Sequence, residues 1–152
     1  MENIDFIIKD ETYYIIEALK KLRPGAKWYG ENEKIIWQDE KQTKPSDEEL
    51  QAEINKIKEL DIKEEKKLKY KRERENALNN ITYTLNDGSV YQVRPKDVNN
   101  FKIAIERNQD IEWILADNTV RLTKPDELKE ILNSGIEQAV KIWNNYIKQI
   151  KN

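Results

Sequence analysis

The sequence predicts an α+β protein in three parts. A small N-terminal helix plus β-hairpin occupies 1–45 and a long charged helix 46–80. A C-terminal ββα-ββα domain fills 81–152, its four-stranded antiparallel sheet covered by helices. Three observations lead there. Apolar residues recur at helical spacing near both ends of the chain, the period switches to two from Ile81, and Asn86-Asp87-Gly88-Ser89 separates two alternating segments as a hairpin turn would.

The first helix is expected from Asp10, which can cap it, to Leu22. Ile15, Ile16, Leu19 and Leu22 share a face, and Arg23-Pro24-Gly25 stops it. "KWY" and "KIIW" follow as short strands around Gly30-Glu31-Asn32-Glu33, a hairpin rich in aromatic and β-branched residues. Ser46 and Glu49 stand three apart at the start of the next helix, the spacing of a capping box. Leu50, Ile54 and Ile57 give that helix an apolar stripe for two turns. From Lys63 to Asn76 only Leu68 and Tyr70 are apolar, so this stretch reads as a solvated spacer.

"ITYTL" and "VYQVR" then alternate around the Asp87-Gly88 turn, where Gly88 tolerates the positive φ that such turns require. Asp97 can cap a short helix carrying Val98, Phe101, Ala104 and Ile105. "IEWIL" and "TVRLT" form a second hairpin around Ala116-Asp117-Asn118. Thr123 can cap the last helix, with Pro125 in its first turn, where the missing amide proton costs nothing. This helix bears two seams. Leu128, Leu132, Ala139, Ile142 and Tyr146 form one; Val140, Trp143, Ile147 and Ile150 form the other. Two seams mean either one wide band turned to the core or a second surface for another subunit or partner.

Composition narrows the function. The chain has no Cys and no His, which removes disulfides, thiol nucleophiles and the commonest general base and metal ligand. Net charge is −2 and nearly balanced along the chain, with 8 basic against 9 acidic residues over 1–45, 9 against 10 over 46–80 and 10 against 10 over 81–152. A dedicated nucleic-acid binder concentrates positive charge. The run "KKLKYKRER" from Lys66 to Arg74 is the one candidate, and flanking Glu64, Glu65, Glu73 and Glu75 make it a solvated face instead. No apolar run approaches the roughly 18 residues of a membrane span, and Met1-Glu2-Asn3 lacks a signal-peptide charge pattern. These features imply a cytoplasmic protein with no cofactor, no metal and no enzymatic site. Paired acids such as Glu48/Glu49 and Asp126/Glu127 fall at helix starts, where the helix dipole explains them.

Binding residues are then the candidates. Trp28, Tyr29, Ile36 and Trp37 crowd a hairpin whose neighbourhood is short of core. They are either sandwiched by the first helix or left as a sticky patch of the kind enriched at binding hot spots. Val140, Trp143 and Ile147 are the corresponding candidates on the last helix.

Two stretches resemble proteins of phage tail modules. Trp28, Ile35-Ile36-Trp37 and Pro45-Ser46 leading into Glu48-Glu49-Leu50 resemble small tail and tail-fibre assembly chaperones, over roughly 25 residues. From Arg74, "RENALNNITYTLNDGSVYQVRPKDVNNF", Trp113 and "VRLTKPDELKEI" resemble a domain of unknown function found in phage tail-region proteins, over about half the chain. That family often has Gly before the first strand. Asn79-Asn80 stand here instead, and Asn can meet the same need in the left-handed conformation. The resemblance implies a non-enzymatic prophage protein in the host cytoplasm that binds a tail or tail-fibre polypeptide as an assembly chaperone. The alternative is a virion-associated structural component that forms homo-oligomers through its last helix.

Overall fold

A computed structural model describes residues 9–31 and 34–151. Its elements run α1 (Glu11–Leu22), β1 (Trp28–Glu31), β2 (Lys34–Trp37), α2 (Asp47–Asn79), β3 (Thr82–Thr84), β4 (Val90–Gln92), α3 (Val98–Glu106), β5 (Ile111–Ile114), β6 (Val120–Thr123) and α4 (Pro125–Lys151). The α+β class is as expected. The chain divides into two compact units, Met1–Lys66 and Lys67–Asn152, with the boundary inside α2.

In the first unit, the Asp10 carboxylate accepts the Tyr13 N–H at 2.8 Å and caps α1. The helix closes through Arg23 N–H to the Leu19 carbonyl, followed by Gly25 at φ 76°. Both halves of the capping box at the head of α2 are present. Glu49 N–H donates to Ser46 Oγ at 3.1 Å, and Ser46 N–H donates to the Glu49 carboxylate at 2.9 Å. Tyr14 and Ala18 of α1 bury against Ile54 and Ile57 of α2, with Ile15 and Leu50 beside them. Ion pairs Lys9–Asp61, Lys58–Glu11 and Lys21–Glu53 line the edges of this contact. Exposed pairs contribute at most about 1 kcal/mol each, so apolar burial holds the two helices together. α2 continues unbroken through its polar stretch because it contains neither Gly nor Pro and is rich in Glu, Lys and Leu.

The second unit corrects one expectation. The four-stranded sheet is absent: β3–β4 and β5–β6 are separate two-stranded antiparallel hairpins, as is β1–β2. The strands are only three or four residues long. Among the described residues, one backbone hydrogen bond joins the two hairpins, from Ala116 N–H to the Val90 carbonyl at 2.9 Å. It ties a strand to a turn, so no ladder can propagate from it. Side chains join the hairpins instead. The fully buried Tyr91 places its hydroxyl 2.7 Å from Thr123 Oγ1, and Arg121 donates to the same hydroxyl at 2.8 Å.

Behind them lies the main core. Ile81, Leu85, Tyr91 and Val93 from the first hairpin region meet Phe101 and Ala104 of α3, Leu115, and Leu128, Ile131 and Leu132 of α4. Trp113 packs on Phe101 with ring centroids 4.3 Å apart.

The two ββα units are related in sequence at an offset of thirty residues. Ile81/Ile111, Tyr83/Trp113, Leu85/Leu115, Asp87/Asp117, Val90/Val120, Pro95/Pro125, Asp97/Glu127 and Phe101/Ile131 correspond. The local geometry repeats as well. Leu85 and Leu115 N–H donate to the Ser89 and Thr119 carbonyls, and the Asp87 and Asp117 carboxylates accept from the backbone of Ser89 and Thr119. Gly88 at φ 89° and Asn118 at φ 68° occupy the same left-handed position.

Three local expectations change. The Asp97 side chain makes no cap bond to α3, because Arg94 N–H and guanidinium hold its carboxylate. Thr123 does not cap α4: its hydroxyl is committed to Tyr91, and Glu127 instead reaches back to Lys124 N–H at 2.9 Å. Asn79 and Asn80 keep negative φ, with the Asn80 amide donating to the Asn76 carbonyl at 2.7 Å.

Candidate functional site

The candidate residues fall on three elements, β1 and β2 in the first unit and α4 in the second. In the first unit the register pairs Trp28 with Trp37 and Tyr29 with Ile36. Residues directly opposite share a face and successive residues alternate. Trp28 and Trp37 therefore lie on one face, Tyr29 and Ile36 on the other. They do not form one patch. Trp28, Ile36 and Trp37 are half-buried and Tyr29 is exposed. None joins the buried α1–α2 cluster.

Polar bonds fix the base of this hairpin. Trp37 Nε1–H donates to the Gln42 carbonyl at 2.8 Å. Asp39 accepts the N–H groups of Lys27, Lys41 and Gln42, and these bonds, Lys27 and Gln42 foremost, hold its carboxyl below the usual range. The expected turn residues Asn32 and Glu33 lie outside the described residues. β1 begins one residue later than "KWY" and reaches through Glu31 into the expected turn, whereas β2 is the "KIIW" stretch as expected.

In the second unit, Val140, Trp143 and Ile147 lie in one row on α4 and are 52%, 43% and 40% exposed. Ile136 and Ile150 extend the row and are exposed too. The neighbouring face of α4 supplies Leu128, Ile131 and Leu132 to the core, with Ala139 and Ile142 packed beside them. The helix is therefore amphipathic on its core side and carries a second apolar strip on its outer side.

Arg74 presets this strip. Its guanidinium lies 4.4 Å from the ring centroids of both Trp143 and Tyr146, which meet edge to face with centroids 6.0 Å apart. Arg74 belongs to the basic run expected to be a solvated face, yet its side chain is only 13% exposed and its Nε is buried without a hydrogen-bond partner. The aromatic pair on α4 withdraws it from solvent.

A second surface was not nominated. On β5–β6 the register pairs Ile114 with Val120 and Glu112 with Leu122, which sets these four on the outward face. Ile114, Val120 and Leu122 are among the most exposed large apolar residues of the chain. The strict alternation of Ile111, Trp113 and Leu115 inward against Ile114 outward carries the signal in the sequence.

The charged groups of this unit form a structural network. The Arg121 guanidinium contacts Glu127 at 2.8 and 3.2 Å and Asp87 at 2.8 Å, and bonds the Tyr91 hydroxyl. Arg121 is held firmly protonated by Glu127 above all. Glu127 lies below the usual carboxylate range because of Arg121 and then Lys124 N–H. Both terminal nitrogens of the Arg121 guanidinium are held by partners from separate elements, which is the pattern of a cross-brace. Among the described residues no three acidic side chains converge to hold a metal ion, and no helix is long and apolar enough to cross a membrane.

No protein-family model, curated protein or solved structure matches the chain.

Proposed function

We propose that the protein acts without catalysis, by binding other polypeptides, and that its client is a phage tail or tail-fibre polypeptide held during assembly. The observation that carries the binding role is the ordering of the uncovered apolar side chains. In the second unit they stand in rows on α4 and on the outer face of β5–β6, and in the first unit Tyr29 of β1 is exposed as well. Single exposed apolar residues are ordinary, whereas contiguous ones mark contact surfaces. Trp143, held in place by Arg74 and Tyr146, has the chemistry of a binding anchor: large, rigid and already ordered. The lack of His and Cys and the balanced charge agree with a role in contact rather than chemistry. The choice of client rests on the resemblance of Trp28–Leu50 and of the stretch from Arg74 to tail-module proteins.

The test is co-expression of the full chain with the tail and tail-fibre polypeptides encoded beside it, with affinity measured by calorimetry. Tyr29→Ala, Trp37→Ala or Leu122→Lys should weaken the client by at least about 2 kcal/mol at one of these positions. Failure of every such polypeptide to bind at about 10 μM refutes the client. Binding that none of these substitutions weakens refutes the surfaces. A second reading, a tail component that self-associates through α4, is favoured by the spacing of the row on that helix.

A further inference from the structure

We infer that α4 pairs antiparallel with α4 of a second copy of this chain, in the register that sets Asn144 against its own counterpart. This rests on the reading of the α4 row as a contact surface and commits that row to one occupant.

The row is Ile136, Val140, Trp143, Ile147 and Ile150, with steps of four, three, four and three residues. That is the 3.5-residue average of a helix-pairing seam, repeated over two heptads. All five side chains are exposed, although the helix already fills the core from the adjoining face.

The flanks of the row decide the occupant and its direction. On one flank stand Ala139 and Tyr146, both half-buried against their own unit. On the other stand Glu137, Asn144 and Lys151, spaced by seven and all exposed. A parallel pair brings opposite flanks together, setting Ala139 beside Asn144 and Tyr146 beside Lys151, with no charge matched. A two-fold axis across the helices brings each flank against its own copy. The order acid, amide, base then meets itself reversed. Glu137 faces Lys151 of the second copy, Asn144 faces Asn144, and Lys151 faces Glu137. The same register stacks Val140 on Ile150 and Trp143 on Ile147, so the largest side chain of the seam meets an aliphatic one. The exposed flank of α4 is thus complementary to itself, and only in this orientation.

The seam is short, so the pair forms at concentrations on the order of micromolar. The client keeps the β1–β2 and β5–β6 surfaces.

Sedimentation equilibrium of the full chain tests the pairing. The expected result is a reversible dimer, weakened at least tenfold by Glu137→Lys or by Lys151→Glu alone and restored to within about threefold of the parent by the two together. Both positions are exposed, so neither single change threatens the fold. The chain has no cysteine, so Asn144→Cys and Asn133→Cys can each be spin-labelled uniquely. The label pair at 144 should lie close, since paired helix axes are about 8–10 Å apart. The pair at 133 should lie about 33 Å apart along the axis, at 1.5 Å per residue. A chain that is monomeric at about 0.5 mM, a dimer indifferent to both charge reversals, or close labels at 133 overturns the inference. A monomer that binds a tail polypeptide overturns the pairing and leaves the proposed function standing. A dimer with the expected distances that binds no tail polypeptide does the reverse.

Discussion

Gly135 is the position where helix propensity and packing make opposite demands, so replacing it with Ala is a sharp test of the second unit's core. In an exposed helix interior, Gly→Ala stabilises by about 1 kcal/mol. Here a Cβ at Gly135 would sit 2.2 Å from Val93 Cγ1 and 3.0 Å from Val93 Cβ. Carbon atoms prefer separations of about 3.5–4.0 Å, so the overlap with Cγ1 exceeds 1 Å. Val93 is buried at 2% exposure and β-branched, hence stiff at χ1. Its N–H is also bound to the Ile81 carbonyl, which pins its backbone. Overpacking of this kind costs about 1–3 kcal/mol, and the upper part of that range applies where the neighbour cannot turn away. Net destabilisation of about 1–2 kcal/mol follows. Urea denaturation, with hydrogen exchange at the Val93 amide as a local probe, measures it. The decisive comparison is the same change made in a Val93→Ala background. Both γ-carbons are then gone, only the 3.0 Å contact remains, and Gly135→Ala should become neutral or stabilising. A Gly135→Ala chain that is more stable than the parent by the full propensity gain would refute the close approach of α4 to Val93, just after β4.

Other consequences follow from the same unit and from the head of α2. Tyr91→Phe removes the hydroxyl shared by Thr123 and Arg121 and leaves the fully buried Thr123 Oγ1 without its best partner. A loss of about 1–3 kcal/mol is expected in denaturant unfolding, with Thr123→Val restoring part of it. Glu127 titrates below its unfolded value because of Arg121 and Lys124 N–H. Its contribution is therefore fully present above the unfolded carboxylate pKa of about 4.3 and is lost as pH falls through the folded value. Glu127→Gln should lower stability at pH 7 and flatten the acid limb of a stability–pH profile. Ser46→Ala deletes one half of the capping box on α2 and should cost about 1 kcal/mol, read as a lowered midpoint of the first unit by hydrogen exchange.

Helix starts and hairpin turns were the most legible features, because each rests on a few neighbouring residues. Asp10, the Ser46–Glu49 pair and Gly88 do what their chemistry predicts. Features that depend on distant partners were not legible. Thr123 has a cap-forming side chain, yet Tyr91 from another hairpin takes it; Asp97 is taken by a neighbour, Arg94, in competition with the helix it precedes. The four-stranded sheet failed for a similar reason. Alternation specifies strands but not whether two hairpins lie edge to edge, and here Tyr91, Arg121 and Asp87 join them through side chains. Arg74 reads as part of a charged run, and only the approach of Trp143 and Tyr146 withdraws it from solvent. On the candidate surfaces, Val140, Trp143 and Ile147 share a row because helical spacing guarantees it. Trp28 and Tyr29 are adjacent in sequence, which in a strand puts them on opposite faces.

The thirty-residue correspondence was present in the sequence and bears on why α4 is so long. In the first repeat, α3 ends at Glu106, and Asn108 at φ 49° turns the chain out of the helix. Adding thirty places the equivalent of Glu106 at Ile136. Up to that point α4 repeats what α3 does: an acid, Asp97 or Glu127, accepts the N–H three residues before it, and a large apolar residue is buried, Ile131 where α3 has Phe101. The fifteen residues from Glu137 to Lys151 have no helical counterpart in the first repeat. Ala139, Ile142, Trp143 and Tyr146 on that extension give Leu78 and Arg74, at the end of α2, a surface to lie against within the second unit. That accounts for one side of the extension. A polar outer side would have served solubility better, since an uncovered seam of this length invites association. The outer side carries Ile136, Val140, Ile147 and Ile150 instead. The apolar spacing begins where the repeated fold unit ends, so it is a property of the extension and not a by-product of covering the hairpins.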